Sequence, residues 1–342
     1  MMELIKRRVA LAGLAGAIAS RTARAAPAEL PDKPTLLVAG PQGGTTDDWA
    51  AAIAAPMGRG LQLGSGVAWQ NLGGPDGVTA ANQFQARIVP DGATALLAPG
   101  ATLLGWLTGD TRVRFDVGRW TALWGAAMPI AVVSRGPLAR GRRLRAGVHS
   151  VAGPELAGLL ALHALGREIE PVPLDPALGV PLARPDLDLL FLRGTDLRAR
   201  QAPLAQRGWS PVFGSGAITA EGSPVRDPSY PELPTFWELI GQEGRNSGPE
   251  LMAALGAVSA AATLDVSLVL PQQTPAALVA WWRQGCAALA SAPEVQAQAA
   301  RSAVRPIGAG VIAAHMQRIT VDASVMLELR RWLADRYHWQ PS

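Results

Sequence analysis

The chain has 342 residues, 49% of them hydrophobic and 17% charged, enough for two modest α/β domains with a sizeable core. Its formal charge of +4 is concentrated at the start: residues 1–25 carry five basic side chains and one acid, and the rest carries 26 of each. That neutrality excludes a general affinity for nucleic acid, and the absence of any apolar run of about 18 residues in the body excludes a spanning helix there.

The N-terminal segment reads as an address. Lys6, Arg7 and Arg8 precede the apolar stretch VALAGLAGAIAS, and Ala23 and Ala25 supply small residues at a cleavage site. This order predicts an export signal over 1–25, with the Arg7–Arg8 pair leaving the twin-arginine route open beside the general one. Cys286 is the single cysteine, so no disulfide forms within the chain. Its helical, apolar surroundings predict a buried thiol.

KPTLLVAG (33–40) predicts a buried strand, and TDDWAAAIAAPMG (46–58) an amphipathic helix with Trp49, Ile53 and Met57 on one face. GVAWQNLGG (66–74) gives a second strand, PDGVTAANQFQA (75–86) a second helix, PDGATALLAPG (90–100) a turn and strand, and ATLLGWLTG (101–109) a third helix. Such alternation predicts a parallel sheet with helices on both faces. WTALWGAAMPIAVVSRG (120–136) contains a strand crossing into a second unit. There LRAGVHSVAGPELAGLLALHALG (144–166) repeats the strand, turn and helix, and PDLDLLFLRG (185–194) and WSPVFGSGA (209–217) add strands. After the proline-rich 223–235, helices are predicted around 235–243, 249–263 and 275–300, and one long helix over 312–337. The expected domains are 33–130 plus 235–342, and 131–234, with a cleft between them lined by the loops at 41–47 and 148–154.

The loop PQGGTTDD (41–48) is the most informative stretch. It lacks the lysine of a phosphate loop; the only lysines in the chain are Lys6 and Lys33. Adjacent Asp47 and Asp48 diverge by about 100° on a helix, so they make no acid pair and read as first-turn capping groups. Gly43 and Gly44 permit close approach, and the amides of Thr45 and Thr46 sit at a helix N-terminus that can receive a carboxylate. On this stretch alone, an ordinary strand–helix turn explains the pattern equally well. No G-x-S-x-G occurs, and the four histidines (His149, His163, His315, His338) form no metal-binding pattern. The sequence therefore predicts no catalytic set, no metal and no cofactor. His149 lies where it can touch a ligand, His163 reads as a core or boundary residue, and Trp69 and Trp106 are the tryptophans placed near the cleft.

In order and spacing these motifs resemble the Bug family, the periplasmic solute receptors of tripartite tricarboxylate transporters. Pro41, Gly43, Gly44, Thr45 and Asp47 match its P-x-x-G-G-[ST]-x-D loop, and Asn71, Gly74 and Gly77 its N-x-x-G-x-x-G turn. Pro90, Asp91 and Gly92 match the P-D-G before the third strand, while YPELPTFWELIG (230–241) and LVLPQQTPAALV (268–279) resemble later family segments. The resemblance implies a two-lobed, type II-like periplasmic binding fold, each lobe a mixed or parallel sheet flanked by helices. It implies a non-enzymatic, monomeric receptor that closes on a small organic acid and delivers it to membrane permease subunits. A solute-sensing subunit for a membrane kinase is the alternative, and an exported enzyme ranks below both. Two loops would act as pincers through amides, hydroxyls and bridging waters, without a fixed cation: Gly43, Gly44, Thr45 and Thr46 with Asp47 behind them, and the 148–153 loop with His149, Ser150 and Gly153. Two departures stand out. Glu155 occupies the family's His position, and VPLDPALG (172–179) lacks the family's Tyr-x-Gly-Gly.

Overall fold

The computed structural model describes residues 29–175, 184–243 and 247–341; the expected export signal over 1–25 lies outside them. In chain order the first strands and helices are β1 (Thr35–Ala39), α1 (Thr45–Gly60), β2 (Ala68–Leu72), α2 (Val78–Arg87), β3 (Thr94–Pro99), α3 (Gly100–Thr108) and β4 (Trp120–Ala127). Then come β5 (Ile130–Ser134), β6 (Arg143–Val148), α4 (Leu156–Ala164), β7 (Glu168–Pro173), β8 (Leu189–Arg193), α5 (Gly194–Ala205) and β9 (Ser210–Gly214). The short pair β10 (Ala217–Ile218) and β11 (Pro224–Val225) leads to α6 (Phe236–Glu243), α7 (Pro249–Ala262) and β12 (Leu264–Pro271). Last are α8 (Ala276–Ala287), α9 (Pro293–Ser302), β13 (Arg305–Ile307), α10 (Ala309–Ile319) and α11 (Ala323–Tyr337).

The strands form two mixed sheets flanked by helices. One has the order β13-β4-β12-β3-β1-β2, the other β7-β6-β8-β5-β9, and β10 pairs with β11 apart from both. In the first sheet β1 lies parallel to β2 on one side and to β3 on the other. In the second, β6 is likewise parallel to β7 and to β8. Each sheet therefore has a point where successive connections leave in opposite directions, which opens a crevice beyond the carboxyl ends of its strands.

Three departures from the sequence pattern fall between residues 264 and 323. Residues 264–271, to which the pattern assigns no element, form β12, the strand running antiparallel between β3 and β4. Its apolar run follows the alanine-rich α7 with no glycine or proline between them, so no punctuation marks the change of period. The first sheet is consequently mixed and not purely parallel. The long C-terminal helix is broken between Ile319 and Ala323, where consecutive β-branched residues (Ile319, Thr320, Val321) precede Asp322, a residue type that favours helix starts. A further break between α8 and α9 is made by a 3-10 turn at Ala288–Ser291 and by Pro293 at the start of α9.

Helix α1 forms as its spacing dictates, with Trp49, Ile53 and Met57 all fully buried. Each contributes roughly 1.5–3 kcal/mol of burial free energy. Their cluster contains Cys286, whose thiol burial pushes up to about 12, as expected for an inert core sulfur. Helix α4 is apolar on every side. Its leucines share one core with α7 and α11 and with strands of both sheets.

Candidate functional site

The carboxyl ends of β1 and β2 each lead through a short turn into a helix, and β3 runs directly into one. Between β1 and α1 the chain turns through Gly40 to Gly44, with Gly43 at φ +73°. Asp47 braces this turn: the Gly43 amide donates to Oδ2 at 2.8 Å and the Trp69 indole to Oδ1 at 2.9 Å. The Gly43 bond, with help from Trp69 and Asn71, holds the carboxyl below the ordinary Asp value against the opposing effect of burial. The turn before α2 is fixed similarly, by Asp76 accepting from the Val78 amide at 3.1 Å and from Arg112 at 2.7 Å.

These starts meet in a chamber of about 310 Å³. Thr45 and Thr46 come from α1 and Gly44 from the turn before it, Pro75 from the turn before α2, Pro99 from the end of β3, and Gly100 and Ala101 from α3. The first-turn amides of a helix have no partner within it, and its N-terminus carries partial positive charge, so this wall favours an anion. Pro154 reaches the chamber from the loop between β6 and α4, Arg193 from the end of β8, and Asp265 from β12.

Arg193 is the main feature that sequence reasoning missed, and it replaces the expected cation-free site with a charged one. It ends β8, whose other residues Leu189 to Leu192 are buried, and it is followed at once by Gly194 and a helix. A lone charge at the carboxyl end of an apolar strand was the available signal. Its Nη2 donates to the Ala262 carbonyl at 3.2 Å, and its Nε is buried without a partner. Burial lowers its pKa, opposed by Glu155, Asp265 and Asp196, and an arginine keeps its charge under such pressure.

Asp265 sits where the pairing of β12 with β4 slips between Leu264 and Val266. Such a bulge re-aims a side chain. The buried Trp49 indole donates to Oδ2 at 2.6 Å, while burial raises the carboxyl's pKa against the effects of Trp49 and Arg193. Thr45, Arg193 and Asp265 also line a neighbouring cavity of about 400 Å³ that reaches Thr195, Arg301 and Ser302.

Of the residues expected from sequence, Gly44, Thr45 and Thr46 line the chamber. Gly43 and Asp47 stand behind it as the turn and its brace. The second loop is arranged differently. His149 Nδ1 meets Glu155 Oε1 at 2.8 Å, and Ser150 Oγ accepts from the Ala152 amide at 3.2 Å, so both side chains are engaged within the loop. Gly153 donates its amide to the Ser150 carbonyl at 3.2 Å, and the lining residue from this loop is Pro154. Glu155 is buried, with Oε2 unpartnered beside Gly153. Trp69 is 41% exposed on β2, and Trp106 backs the core on α3; neither lines the chamber. No group of three or more His, Cys, Asp or Glu that could hold a metal occurs among the described residues. None of their helices is long and apolar enough to cross a membrane.

No protein-family profile matches the chain, and no curated protein does. Solved structures do match. A TctC solute-binding protein from Polaromonas superposes with a TM-score of 0.66 at 13% identity, over 89% of this chain and 98% of that one. An adipate-bound protein from R. palustris gives 0.52 at 19% identity, over 87% and 97%. The protein MatC from Rhodopseudomonas palustris, with bound malate, gives 0.50 at 18% identity, over 87% and 98%. This chain has the fold of the TctC and Bug periplasmic solute-binding proteins.

Proposed function

We propose that the protein is an extracytoplasmic receptor for a small carboxylate-bearing metabolite, which it delivers to the membrane permease of a tripartite tricarboxylate-type transporter. On this reading residues 1–25 direct export to the periplasm, the receptor is a monomer without catalytic activity, and 33–130 plus 235–342 close against 131–234. The observation that carries it is Arg193, a guanidinium with one hydrogen bond among the described residues, in a chamber walled by helix N-termini. A carboxylate there gains charge-assisted hydrogen bonds from the guanidinium and the Thr45 and Thr46 amides. The bound malate and adipate of the structural neighbours support an acid of similar size.

The test is a thermal-shift screen of mono-, di- and tricarboxylates and amino acids against the purified protein, with Arg193→Ala beside it. A ligand at a hundred times its Kd stabilises the folded state by about 2.7 kcal/mol, a rise of several degrees in melting temperature. Arg193→Ala should remove that rise, weakening binding about 100-fold while remaining folded. A screen without any shift, or shifts that persist in Arg193→Ala, would overturn the reading.

A further inference from the structure

We propose that the receptor's ligand is an amino-bearing carboxylate, with Asp265 as the residue that selects it: the carboxylate sits on Arg193 and the ammonium group on Asp265. This inference rests on the receptor reading and narrows its substrate class.

The geometry supplies two poles in one space. Arg193 ends β8 in one sheet and Asp265 lies near the start of β12 in the other, and both line the same two cavities. They form no ion pair with each other among the described residues; the recorded hydrogen-bond partners are Ala262 for Arg193 and Trp49 for Asp265. Opposite charges that line one small chamber without pairing are left for a ligand that carries both signs.

Asp265 is also held in a fixed pose. The Trp49 indole donating to Oδ2 is itself fully buried and packs edge-on against Trp124, with ring centroids 5.5 Å apart. The pairing of β12 with β4 slips at this position, an irregularity of the kind that re-aims a side chain. Oδ2 is thereby anchored, and Oδ1 remains to accept from a ligand N–H.

The same carboxylate discriminates against plain acids. A dianion lying along the chamber would bring its second carboxylate towards Asp265, and like charges at close range in a partly buried site repel. An ammonium group in that place gains a charge-assisted hydrogen bond and favours the charged form of the acid, which burial opposes. The neighbouring cavity beyond Thr45, with Thr195, Arg301 and Ser302 on its walls, gives a polar side group somewhere to extend.

The experiment is calorimetric titration of the full chain with ligand pairs that differ only in the amine: aspartate with succinate, glutamate with glutarate, alanine with propionate. The proposal expects at least one amino acid to bind tenfold or more tightly than its amine-free partner. It further expects Asp265→Asn, which still offers Trp49 an acceptor oxygen, to bring that ratio close to one. Amine-free acids binding as tightly as their partners would overturn the selection by Asp265 and leave the receptor reading standing. A ratio unchanged in Asp265→Asn would do the same. If no acid of either kind binds, both fall. Should Asp265→Asn not fold, N-trimethylated analogues on the wild-type protein decide: they keep the charge and lack the N–H, and the proposal expects them to lose most of the gain.

Discussion

The Asp47 carboxylate joins two elements, accepting the Trp69 indole N–H from β2 at 2.9 Å and the Gly43 amide from the loop before α1 at 2.8 Å. Replacing it frees the edge strand from the helix start and loosens the turn that presents the Thr45 and Thr46 amides. Asp47→Ala should cost about 1 kcal/mol of stability by denaturant titration, since both bonds are solvent-exposed. It should weaken acid binding more than it weakens the fold. Because the folded-state pKa is depressed, the bonds' contribution is present above the ordinary Asp value and is lost as pH falls through the folded one. Below about pH 4, wild type should therefore lose its stability advantage over Asp47→Ala. An advantage that stays constant there would show that the brace does not titrate.

Two glycines of the chamber region should respond very differently to a methyl group. At Gly100 a Cβ would lie 2.3 Å from the Leu264 carbonyl oxygen and 2.4 Å from that of Ala261, both backbone atoms that cannot step aside. Gly100→Ala should destabilise by about 3 kcal/mol or prevent folding. Gly43 has φ +73° but open space where a Cβ would stand. Gly43→Ala should therefore cost only the left-handed backbone conformation, about 1 kcal/mol. Chemical denaturation of the two variants side by side checks the difference.

His315 links the C-terminal helices to acid stability. It is 2% exposed, its Nδ1 lies 2.9 Å from the Val311 carbonyl, and burial pushes its pKa down to about 4, with Arg305 and Arg318 adding to the effect. A depressed histidine contributes stability above its unfolded value near 6.5, and that stability is lost as pH falls towards the folded value. The loss approaches roughly 3 kcal/mol once both states are protonated. His163, lowered by burial and by Arg336, acts in the same direction. His315→Gln should flatten the fall in melting temperature between pH 6.5 and 4; an unchanged slope would assign the acid sensitivity elsewhere.

The half of the chamber built by local pattern was legible, and the half built by distant pairing was not. Strand β1, the glycine turn and α1 follow one another in sequence, so hydrophobic period and turn chemistry placed Gly44, Thr45 and Thr46 at the strand's carboxyl end, and the family resemblance singled them out as a binding wall. Asp265 and Arg193 enter through strands whose neighbours lie far along the chain: β12 pairs with β3 and β4, and β8 with β5 and β6. Nothing near Asp265 in sequence marks the bulge. The loop at 148–153 was placed at the end of its strand by the same reasoning that placed the first, but Glu155 turns back onto His149, an internal bond that residue types do not announce.

The all-round burial of α4 bears on how the protein comes apart. Leu156, Leu159, Leu160 and Leu162 are each at most 1% exposed, in a core that also holds Leu255 and Val258 of α7 and Leu329 and Leu333 of α11. Uncovering those four leucines would cost on the order of 6–12 kcal/mol, comparable with the whole stability of an ordinary domain. Neither sheet can melt while the other keeps its share of this core, so calorimetry should record one cooperative heat-absorption peak for a molecule with two sheets.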